Sequence, residues 1–235
     1  MYTLNRLFIT DLTTEHLINP VGIDCASPRF CWKLKSGGFN VEQTAWQMIL
    51  FEKDRQIFDT GRIQSSQSTE TVLPGFEAQP VTRYDMQVTV WDNKGRSASA
   101  FGFFETGRMG MPFKSSWVEP VQEPTPSSMD SERDGDTMAE NAIPRDADGN
   151  RTYEEFRLAQ YIRIPFNIRK SVRGMRIYTT AHGLYRLEIN GTCPRQRLLA
   201  PENTAYHRLL LYQTYDVTEF LRPGENVIGA VLADG

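Results

Sequence analysis

Residues 84–92 read YDMQVTVWD. Tyr84, Met86, Val88 and Val90 recur at every second position, and Asp85, Gln87 and Thr89 fill the gaps. Side chains of an extended chain alternate between two faces, so this is the pattern of a strand with one face in a core and the other toward solvent. The stretch runs into Asp92-Asn93-Lys94-Gly95, a turn signal, and SASAFGFFETG (97–107) follows as the returning strand. Working toward the N-terminus, TAWQMILFE (44–52) sets Trp46, Met48 and Leu50 on one side at the same period. RFCWKL (29–34) is aromatic and apolar, and IFDTGRI (57–63) breaks at Gly61. No helical pattern of ten residues interrupts residues 1–110. Short strands joined by regular turns predict an antiparallel β-sandwich.

The remainder of the chain divides by composition. RMGMPFKSSWV (108–118) reads as a linker and the opening strand of a second domain, with Trp117 and Val118 at its start. Residues 119–153 are rich in Pro, Ser, Asp and Glu and poor in bulky apolar groups, which predicts a long mobile insertion unable to offset its own ordering entropy. Strand patterns resume with AQYIRIPFNI (159–168), VRGMRIYTTA (172–181) and GLYRLEINGT (183–192). In the last, Tyr185, Leu187 and Ile189 share one face and Arg186 and Glu188 the other, and Asn190-Gly191 is a strong hairpin signal. LLLYQTYDVTEFLRPGENVIGAVLA (209–233) holds two strands around a short helical turn capped by Asp216 or Thr218 and ended by Pro223-Gly224. The expectation is an all-β chain of two sandwiches, 1–110 and 111–235, the second carrying the acidic loop.

The totals exclude some functions. Of 235 residues, 40% are hydrophobic and 23% charged, with a formal net charge of −3. Residues 119–155 carry −8, the rest of the chain the balancing +5, and no basic run marks a nucleic-acid partner. No apolar stretch is long enough to span a membrane as a helix. The N-terminus shows no signal-peptide core, so either the protein is intracellular or an export signal has been removed. Cys25, Cys31 and Cys193 lack the paired spacing of a zinc site. They read as free buried thiols, or as a Cys25–Cys31 bridge if the turn between them closes in an oxidising compartment. DADGNRTYEEFR (146–157) has Asp146, Asp148 and Asn150 at the first, third and fifth positions of a calcium loop. Arg151 and Arg157 stand where such a loop needs Gly and Glu, so no metal ligands are assigned.

These residues also carry a family resemblance. The Tyr84–Asp92 strand, its turn and the strand ending FFETG are similar to the last two strands of a fibronectin type III module. With NPVGIDCASPRFCWKL, QTAWQMILFE and FDTGRIQSSQS, they resemble the N-terminal module of bacterial α-L-rhamnosidases of glycoside hydrolase family 78. GLYRLEINGT and YQTYDVTEFLRPGENVIGAVLADG resemble the jelly roll that follows in those enzymes. The resemblance implies an N-terminal fragment whose jelly roll is truncated at Gly235. It implies inverting hydrolysis of terminal α-L-rhamnosides by two carboxyls in an (α/α)₆ barrel further along the chain. No catalytic residue is therefore assigned here, and the fragment is expected to be inactive alone. Its partners would be that barrel, docked on exposed apolar surface, and a rhamnose-containing carbohydrate.

Some jelly rolls of this type bind rhamnose with the help of calcium, so a carbohydrate-binding module acting alone is the alternative, and an adhesin-like scaffold a third. The resemblance marks Asn190 and Asp234 as candidate sugar ligands at the family's binding loops. Tyr206 joins them as an aromatic face for stacking. Asn190 equally fits a type I′ turn, and Tyr206 a structural loop aromatic. His182, before Gly183, reads as a turn or packing residue.

Overall fold

The computed structural model describes residues 6–119, 159–195 and 199–233. The acidic insertion and the calcium-like loop fall outside those residues, as does Asp234. The elements are strands β1 (Leu7–Thr14), β2 (Val21–Ile23), β3 (Phe30–Ser36), β4 (Gln43–Glu52), β5 (Arg55–Asp59), β6 (Arg83–Asp92), β7 (Ser97–Thr106), β8 (Gln160–Ile168), β9 (Arg176–Thr179), β10 (Leu184–Ile189), β11 (Gln213–Asp216) and β12 (Gly224–Ala233). A 3-10 turn occupies Thr218–Phe220. Two compact units result, Met1–Lys114 and Ser115–Gly235.

In the first unit β6 is the middle of a five-stranded sheet, order β2-β7-β6-β4-β5. Tyr84, Met86, Val88 and Val90 are all buried, as their spacing requires. β1 and β3 form the second sheet. Neither β1 nor β2 is apparent from alternation. β1 carries a bulge between Thr10 and Thr13, with Asp11 at positive φ, which shifts its apolar residues out of period. β2 is three residues long and pairs in parallel with β7.

Aromatic rings join the two sheets. Phe30 of β3 meets Phe104 of β7 edge-on at 5.6 Å, and Trp32 of β3 meets Trp46 of β4 at 5.7 Å. Tyr84 stacks on Phe104 at 4.9 Å, and its hydroxyl accepts the Gln79 N–H at 2.8 Å. Buried tyrosine and tryptophan need such partners for their polar ends. The Trp32 Nε1–H donates to Gln43 Oε1 at 2.9 Å, and Gln43 Nε2 donates to the carbonyls of Ser65 and Gln67. Gly102 of β7 lets the sheet close over Met86. A Cβ there would lie 2.8 Å from Met86 Cε and 3.1 Å from Asn19 Oδ1.

The 92–95 turn is built around a buried carboxylate. Asp92 Oδ1 accepts the N–H groups of Lys94 and Arg96, each at 2.9 Å, and Oδ2 meets the Arg96 guanidinium at 2.7 Å. Burial pushes the Asp92 pKa up. The Arg96 amide, the Arg96 side chain and the Lys94 amide outweigh it and hold the group below the usual carboxylate range.

The second unit is also a pair of sheets, β10-β12-β8 and β11-β9. Its core is Ala181, Tyr185, Leu187, Ile189, Ala200, Tyr215 and Val217, with the β10 face matching the sequence alternation. Tyr185 ties the sheets together. Its hydroxyl accepts from Thr179 Oγ1, donates to Gln213 Oε1 at 3.0 Å and lies 3.3 Å from the Tyr215 hydroxyl. The helical turn forms, but Asp216 sits one residue ahead of its N-cap, Val217. From there it accepts the Thr218 N–H at 3.0 Å. Residues 117–118 form no strand. Cys25, Cys31 and Cys193 are free thiols.

Asp92→Ala is expected to lower stability by about 2–4 kcal/mol in urea unfolding, because two amides and a guanidinium lose their acceptor. The contribution has a pH signature. A carboxyl whose pKa is lowered on folding stabilises fully above its unfolded pKa, about 3.9, and loses that stabilisation as pH falls through the folded value. The gap between wild type and Asp92→Asn should therefore be constant from neutral pH down to about pH 4 and narrow below it.

Candidate functional site

Asn190 lies in the turn its sequence predicts. Asn190 and Gly191 both have positive φ, 51° and 79°, and Ile189 and Thr192 exchange backbone hydrogen bonds at 2.8 and 2.9 Å. Past the turn the chain meets β10 again at an isolated antiparallel bridge, where the Tyr185 N–H donates to the Ala200 carbonyl at 2.7 Å. On its other edge β10 pairs with β12, from Leu184↔Ala233 to Ile189↔Ile228. The Asn190 side chain reinforces that pairing. Its Nδ2 donates to the Phe220 carbonyl at 2.8 Å and to Asn226 Oδ1 at 2.9 Å, while its Oδ1 accepts the Val227 N–H at 2.9 Å. Asn226 is fully buried and completes the clasp. It accepts from the Arg222 N–H and donates to the carbonyls of Arg222 and Gly224. Both side-chain amide protons of Asn190 are thus spent within the unit, one on the 3-10 turn at Phe220 and one on Asn226 of β12.

Tyr206 sits among other rings. It stacks on His182 at 5.8 Å with 18° between planes, and Trp117 meets the other ring of that pair, His182, at 4.7 Å. Trp117 is 64% exposed and His182 is exposed. The Tyr206 hydroxyl is buried with no hydrogen-bond partner among the described residues. Asn190 and Tyr206 are therefore held by different neighbours. Composition and spacing miss Trp117 and His182 as companions of Tyr206, since 65 residues of sequence separate the first two.

A shallow trough of about 320 Å³ lies on the β8, β12 and β10 strands. Gly229 leaves its floor without a side chain, and Tyr161, 80% exposed, and the Arg186–Glu188 ion pair at 3.1 Å line it. Among the described residues Glu15 and Asp92 are carboxyls moved clearly off their ordinary pKa, and both move down. For Glu15 the Arg29 side chain is the main cause. A general acid of a glycosidase needs the opposite displacement.

Asn190→Ala should cost the second unit about 2–3 kcal/mol by chemical denaturation, since it strands the Val227 amide and part of Asn226 and replaces Asn, which tolerates positive φ, by a residue that tolerates it less well. Asn190→Gly keeps the backbone at ease and isolates the loss of the clasp. Tyr206→Phe should leave stability within about 0.5 kcal/mol or raise it, because the hydroxyl it deletes has no partner.

Residues 9–110 match the Rha78A-like N-terminal immunoglobulin domain, and residues 170–235 match the alpha-L-rhamnosidase N-terminal domain. An alpha-L-rhamnosidase of Formosa agariphila is 29% identical over 228 residues, covering 92% of this chain and 23% of that protein. The solved alpha-L-rhamnosidase of Dictyoglumus thermophilum superimposes with a TM-score of 0.76 at 29% identity, over 100% of this chain and 25% of that one. The alfa-L-rhamnosidase of Aspergillus terreus shares the fold, with a TM-score of 0.71 at 22% identity over 98% of this chain and 24% of its own. The chain spans about a quarter of the length of the relatives it matches. Through residues 9–110 and 170–235 together, it belongs to the N-terminal region of the α-L-rhamnosidases of glycoside hydrolase family 78.

Proposed function

We propose that the chain is the non-catalytic N-terminal part of an α-L-rhamnosidase, and that its two sandwiches support a barrel in which terminal α-L-rhamnosides are hydrolysed with inversion. The observation that carries this reading is the succession of two rhamnosidase domains along a chain that covers 23% of its relative's length. Two structural features support it. The displaced carboxyls are lowered by arginine partners, so they are unsuited to donating a proton. β8 has no buried residue along its length and leaves Tyr161 80% and Ile164 44% exposed, an apolar strand fit to be covered by the barrel. Among the described residues no helix is long and apolar enough to cross a membrane.

A second reading, a rhamnose-binding module, is favoured by one observation: the Trp117, His182 and Tyr206 rings with Trp117 turned largely to solvent. An exposed ring is the stacking surface a sugar needs. Of the three residues marked from sequence, Tyr206 stays in this proposal as support for that surface. Asp234 stays as a candidate sugar ligand, and Asn190 as the residue that positions the end of β10.

The chain alone is expected to release nothing from an aryl α-L-rhamnoside at acid or neutral pH, and turnover would overturn the first reading. Calorimetric titration with L-rhamnose, with and without calcium, separates the two. Silence at millimolar sugar favours the supporting role. Saturable heat that disappears in Trp117→Ala but survives in Tyr161→Ala establishes the binding module at the aromatic row.

A further inference from the structure

The first unit gathers three metal-ligating side chains that are far apart in sequence. His16 Nε2, a Glu70 carboxylate oxygen and Cys31 Sγ all lie within 4.8 Å of one another. Three segments converge to place them. Glu15 and His16 are the central residues of a tight turn closed by reciprocal Thr14–Leu17 hydrogen bonds, both at positive φ. Cys31 is on β3, and the backbone of residues 68–71 runs alongside, bonded to Phe30 and Trp32. That pairing sets Glu70 opposite Cys31, with the Glu70 N–H donating to Sγ at 3.2 Å.

We propose that His16, Cys31 and Glu70 form a surface site for a thiophilic divalent cation of the zinc type. The chemistry of the donors argues for this choice. One imidazole, one thiolate and one carboxylate are a zinc ligand set, and their mixture is too soft for calcium or magnesium. Zinc bond lengths put ligand atoms about 3.3–3.7 Å apart, so the cluster needs only a small contraction around an ion. His16 Nε2 already lies 3.0 Å from Glu70 Oε1, and the ion would take the place of the proton they share. His16 is exposed and free to adjust, whereas Cys31 is half-buried on a strand and provides the fixed point.

The surrounding charge fits a dication. Arg29 Nη1 holds Glu70 Oε2 at 2.8 Å, and its Nη2 holds Glu15 Oε2 at 2.7 Å. With Cys31 as thiolate and His16 neutral, Glu15, Glu70 and Cys31 carry three negative charges against the one positive charge of Arg29. The formal balance of −2 is neutralised by one divalent ion. Arg29 also leaves Oε1 as the oxygen of Glu70 turned to the other ligands. Three protein ligands leave a fourth position for water, or for a donor supplied by another molecule.

Cobalt(II) is the probe, since it occupies zinc sites and reports thiolate ligation by a near-ultraviolet charge-transfer band. Titrated into the full chain with a non-thiol reductant, it should raise that band to saturation at one equivalent, and Zn²⁺ should then remove it. Cys31→Ser should abolish the band. His16→Ala and Glu70→Gln, both at exposed positions, should weaken binding by about tenfold or more with the far-ultraviolet circular dichroism unchanged. Cys25→Ser and Cys193→Ser should bind as wild type does. The absence of a saturable band in the wild type overturns the proposal. So does a band that depends on Cys25 or Cys193, or one indifferent to His16→Ala.

Discussion

The first unit depends on the register of β6. The strand is paired on both sides, Val88 with Met48 of β4 and with Ala100 of β7, and its side chains alternate with period two. A slip of one residue would put Gln87 and Thr89 in the core and Val88 and Val90 in water. Two devices forbid the slip. On one side Asp92 locks the turn into β7 by taking the amides of Lys94 and Arg96. On the other a bulge between Gln43 and Ala45 admits Gln43 to the core, where it satisfies the Trp32 indole. The aromatic bridge between the sheets follows from that register, because only in it do Trp46 and Phe104 face Trp32 and Phe30.

The second unit solves the same problem with different forces. Its apolar core is smaller, and polar contacts take over the work of alignment. One tyrosine hydroxyl, that of Tyr185, connects β10 to both strands of the other sheet, and one fully buried amide, that of Asn226, joins the turn after β10 to the start of β12. Such networks specify a single arrangement when every member is satisfied and penalise all others. β8 by comparison has no buried residue, and Tyr161 and Ile164 are left exposed. A unit whose sheet alignment rests on hydrogen bonds can keep an apolar strand open for a neighbour without losing its own register.

Alternation made β4, β6, β7 and β10 legible, since each is a long strand with one buried face. β1 was hidden by its bulge and β2 by its length, and no period exists over three residues. The Asn190-Gly191 turn was legible as a turn because both positions need positive φ. Its consequence was not. Among the described residues the chain after the turn meets β10 again at the Tyr185–Ala200 bridge, while β12, more than thirty residues later, takes the other edge of β10 and is held there by the Asn190 side chain. Tyr206 was legible as an aromatic in a loop, whereas its neighbours Trp117 and His182 come together only in the folded chain.

Sequence spacing and spatial convergence are different kinds of information about sites in a β-sandwich. On a helix, ligands three or four residues apart share a face, and a motif announces them. On sheets, neighbours in space come from strands and loops whose separation in sequence is set by topology. His16, Cys31 and Glu70 are such neighbours, brought together by a turn, a strand and a loop that runs beside the strand. Asn190 shows the reverse, a residue at a position marked for ligand binding whose amide donors are both spent on structure. In this fold the standing of a polar residue as a candidate ligand depends on whether its atoms are spent on holding strands together, as in Asn190, or only on one another, as in His16 Nε2 and Glu70 Oε1, and that accounting requires the coordinates of every segment involved.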